Sequence, residues 1–101
     1  MNRQEILDIV INQLEELNET LPESDRFDIN EKTILFGSNS NIDSLSLVSV
    51  IVDLEGVLAS DYDFDISLTD DRAMTREISP FDNVASLVDY IEEIVNELQE
   101  G

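Results

Sequence analysis

At 101 residues and 42% hydrophobic composition, the chain has the makings of one domain over 1–101 with a single modest core, but 24 acidic residues against five basic ones give it a formal charge of −19. That balance excludes nucleic acid as a natural partner, because phosphate binding depends on Lys and Arg releasing counterions, and it points to basic protein surfaces or cations. There is no cysteine and no histidine, which removes disulfides, thiolate metal sites, the commonest general base and any Ser-His-Asp arrangement.

The first predicted element covers residues 3–17. Ile6, Val10, Leu14 and Leu17 recur three or four apart with Leu7 and Ile11 alongside, while Glu5, Asp8, Glu15 and Glu16 take the other face, the pattern of an amphipathic helix. Its opening "MNRQEILDIV" lacks the charged-then-apolar layout of a signal peptide, and no apolar run approaches the roughly 20 residues of a membrane span. A soluble cytoplasmic chain without a membrane partner is the expectation. Pro22 stops the first helix, and residues 22–43 hold no periodic segment. They read as a long ordered loop anchored by Phe27, Ile29, Ile34, Leu35 and Phe36, and loops of that length tend to be functional.

The second helix is predicted from near Ser44 to about Leu58. It is more apolar than one buried face requires. The β-branched run Val48–Val52 suits a strand, but the segment's length and the polar Ser46, Ser49 and Asp53 favour helix. An acidic, irregular stretch follows, with room for a short helix over Thr69–Arg76 capped by Ser67 or Thr69, and Pro80 bars helix at that point. Residues 82–98 carry the stripe Val84, Leu87, Val88, Ile91, Val95 and Leu98, with Asp82 as N-cap and Glu92, Glu93 and Glu97 solvated. The fold expected is all-α: a small four-helix bundle of three main helices and a short third one, with a long loop between helices 1 and 2.

Two motifs invite a chemical reading. In "DYDFDISLTDDR" (61–72), Asp61, Asp63 and Asp65 occupy the first, third and fifth places of a calcium loop. The sixth place needs glycine and the twelfth a bidentate glutamate, and these are Ile66 and Arg72, so the run reads as a solvated acidic loop and no metal is expected. Tyr62, Phe64, Phe81 and Tyr90 read as core aromatics. The second motif is "IDSL" (42–45), where Asp43 or Ser44 caps a helix that Leu45 opens.

With its surroundings, that tetrapeptide resembles the acyl carrier protein family, including the peptidyl carrier domains of the same fold. "LFGSNSNIDSLSLVSVIVDLE" (35–55) is similar to the family's loop and second helix, "DFDISL" (63–68) to the segment after it, and "DNVASLVDYIEEI" (82–94) to its closing helix. The resemblance implies that Ser44 carries 4′-phosphopantetheine, transferred from coenzyme A by a phosphopantetheinyl transferase that recognises Asp43 and Leu45. It also implies that the arm's thiol holds an acyl or aminoacyl group as a thioester. Such a carrier is monomeric and catalyses nothing. Its partners are a loading ligase or transferase and a downstream synthase, in a lipid, polyketide or nonribosomal-peptide type of pathway.

Three departures from the family pattern stand out. Asn41 replaces the glycine usual three residues before the modified serine. Ser46 and Ser49 stand on the second helix where acidic docking residues are usual, so the face Leu45, Ser46, Val48, Ser49, Val52 and Glu55 is expected to dock by apolar and hydroxyl contacts more than by charge. The segment 69–81, which includes "RAMTRE", is longer than usual. A different class of function accepts the same charge: an acidic interaction module that binds basic proteins and is never modified.

Overall fold

The computed structural model describes residues 2–36, 40, 42–68 and 79–100, with the side chains of Ser44 and Glu100 excepted. The described residues are all-helical: α1 (Arg3–Glu19), a 3-10 turn over Glu23–Asp25, α2 (Ser44–Tyr62) and α3 (Val84–Glu100). The predicted short helix over 69–76 lies outside them, as does Asn41.

Local chemistry starts each helix. Asn2 accepts the Glu5 N–H at 2.9 Å while the Glu5 carboxylate accepts the Asn2 N–H, a reciprocal capping box at the start of α1. The same device opens α3. Asn83 Oδ1 accepts the Ser86 N–H at 2.8 Å, and Ser86 Oγ accepts the Asn83 N–H. The cap of α3 is therefore Asn83 and not Asp82, because only Asn83 has a hydroxyl three residues on to return the bond. α2 runs one turn beyond the predicted Leu58 and stops at Asp63, whose left-handed backbone (φ 63°) ends the hydrogen-bond ladder. Aspartate tolerates that conformation better than most side chains do.

α1 packs against both α2 and α3. Its buried stripe of Ile6, Leu7, Val10 and Leu14 meets Leu47, Val50, Ile51, Leu54 and Leu58 of α2 and Leu87, Val88, Tyr90, Ile91 and Val95 of α3 in one core. The long loop is fastened at several places. Asn18 exchanges two hydrogen bonds with the backbone of Phe27 at the end of α1. Further on, Ile34 and Asn83 form an isolated antiparallel bridge, with Leu35 N–H donating to the Asp82 carbonyl and Val84 N–H to that of Thr33, both at 3.0 Å. Arg3 reaches from α1 to Glu31 at 2.6 Å and to Asp89 at 3.2 Å, and these two carboxylates hold its pKa above the usual guanidinium value.

The bridge corrects two of the expected anchors. In extended backbone successive side chains point to opposite sides. Leu35 is accordingly buried while Ile34 and Phe36 are exposed, Phe36 to 58%. Tyr62 is also corrected: it is 37% exposed at the end of α2, whereas Tyr90 is fully buried and Phe64 and Phe81 pack partly against the core.

Candidate functional site

The motif "IDSL" lies where the loop enters α2. Ile42 is buried, and Ser40 holds the approach: its hydroxyl donates to the Leu35 carbonyl at 2.9 Å and accepts the Ile42 N–H at 3.0 Å. Asp43 is the N-cap. Its carboxylate accepts the Ser46 N–H at 2.7 Å and its carbonyl accepts the first intrahelical bond from Leu47. These contacts, the Ser46 N–H first, hold the Asp43 carboxyl below its ordinary pKa. A depressed carboxylate pKa stabilises the folded chain at full strength above the ordinary aspartate range, and that contribution is lost as pH falls through the lowered value.

Of the two capping candidates in the sequence, Asp43 does the capping and Ser44 is the first helical residue. Its neighbours Asp43 and Leu45 are both exposed to solvent, Leu45 to 82%. The side chains on both sides of Ser44 are therefore accessible.

Along α2 from that point, Leu45, Val48, Ser49, Val52, Gly56, Ala59 and Ser60 are all exposed, and at helical spacing they form one stripe. None is charged, on a chain of −19. Ser46 is half-buried at the stripe's edge. Glu55 departs from the predicted docking face: it is half-buried, and its carboxylate accepts the N–H of fully buried Leu68 at 3.0 Å. It ties the segment after α2 back to the helix, a task invisible in the sequence because the partner is a backbone group 13 residues away. Replacing Glu55 by alanine leaves that N–H without its acceptor and is expected to cost about 1–3 kcal/mol, with most of the loss recovered by Glu55→Gln. Urea unfolding of the two variants checks this, and equal stabilities would refute the tie.

The acidic run 61–65 is only partly loop: Asp61, Asp63 and Asp65 are all exposed, and the chain leaves the helix after Tyr62. Asp61 lies in the last turn of α2 and Asp63 is its C-cap. Among the described residues no group of three or more His, Cys, Asp or Glu is placed to hold a metal, and no helix is long and apolar enough to cross a membrane.

One residue the sequence reading passed over is Gln13. It sits on the apolar stripe of α1, seven residues after Ile6 and three after Val10, and is only 8% exposed. A polar residue in register with a buried stripe was the available signal.

Set against protein-family models, curated proteins and solved structures, the chain matches none of them.

Proposed function

We propose that the chain is a discrete carrier of the acyl carrier protein type, holding an acyl or aminoacyl group as a thioester on a 4′-phosphopantetheine arm attached to Ser44. In this reading the fold is the carrier's four-helix bundle, and the protein is a cytoplasmic monomer that catalyses no step itself. The observation that carries the reading is the division of labour at the start of α2. Asp43 provides the cap, so Ser44 stands at a helix N-terminus without being needed for it.

The residues present suit the group. A helix N-terminus favours an attached phosphate through its macrodipole. Asp43 has already taken the Ser46 N–H, so fewer free donors are left than an uncapped end offers. Exposed Asp43 and Leu45 give a phosphopantetheinyl transferase its hold on either side. When attached, the arm supplies the thiol that bears the cargo. The chain's own contribution is to present Ser44 and to offer the uncharged stripe Leu45, Val48, Ser49 and Val52 to loading and synthase enzymes, by contacts more apolar than ionic.

The test is direct. The protein is incubated with a broad-specificity transferase and coenzyme A, and intact masses of the wild type and Ser44→Ala are recorded. Gain of one pantetheinyl group by the wild type alone is the expected result. No gain by the wild type overturns the carrier reading in favour of an unmodified acidic module that binds basic proteins. Gain by both proteins moves the attachment site away from Ser44.

A further inference from the structure

We draw no further inference here: the strongest candidate, the exposed apolar patch of Ile34 and Phe36 on the loop that bridges to Asn83, is an unpartnered face with nothing in the structure to show what covers it.

Discussion

Leu54→Ala is expected to lower the stability of the protein by about 2–5 kcal/mol, among the largest losses of any single truncation in the chain. Leu54 is fully buried in the middle of α2, in the one core that joins α1, α2 and α3. Removing its isopropyl group forfeits the transfer energy of the lost carbons and leaves a cavity that helices fixed by capping boxes at the starts of α1 and α3 can close only in part. A domain of this size has about 5–15 kcal/mol in total, so the variant gives up a large fraction of it. In urea the midpoint should fall with the slope unchanged, the sign of a stability change rather than a change in the surface exposed. Leu98→Ala is the companion control. That side chain is about half-exposed on α3, and its truncation should cost less than about 1 kcal/mol. If the two variants were equally stable, the core would not be where these contacts place it.

The helices were legible because their apolar residues keep a helical period, and their ends were not because several residue types stop a helix equally well. Ala59, Ser60, Asp61 and Tyr62 lack an apolar period, so α2 reads as ending at Leu58, although nothing before Asp63 breaks the ladder. Asp82 and Asn83 are both good caps, and the choice between them is made by the hydroxyl of Ser86, a detail three residues downstream. Ile34 and Phe36 read as anchors because they are large and apolar. The bridge to Asn83 puts the loop in extended backbone there, and alternation turns both outward around buried Leu35.

At the candidate site the legible part was the motif itself, and the hidden part was the assignment of work within it. Asp43 and Ser44 are interchangeable as caps on paper, and only the bond that the Ser46 N–H donates to the Asp43 carboxylate separates them. Glu55 reads as a docking residue from its helical register, but its contact with Leu68 is set by how the chain returns after α2.

Raising sodium chloride from about 0.01 M to about 0.5 M is expected to raise the Tm of the wild-type protein by about 10 °C or more. The chain packs 24 acidic and five basic residues into a body with principal extents of 45 × 29 × 21 Å. At the lower salt the Debye length, about 30 Å, is as long as the molecule is wide, so most pairs of acidic groups repel one another across it. Each pair at about 20 Å contributes only about 0.2 kcal/mol in water, but like pairs far outnumber unlike ones, and unfolding relieves them by spreading the chain. Salt removes that relief. Because the effect is collective, it should depend on the number of carboxylates and hardly on their position: Glu23→Gln/Asp25→Asn/Asp28→Asn on the loop and Glu16→Gln/Asp53→Asn/Asp61→Asn on α1 and α2, all exposed, should flatten the salt dependence equally. A Tm that moved by less than about 2 °C over this range would mean that the net charge is not what limits the stability of the fold.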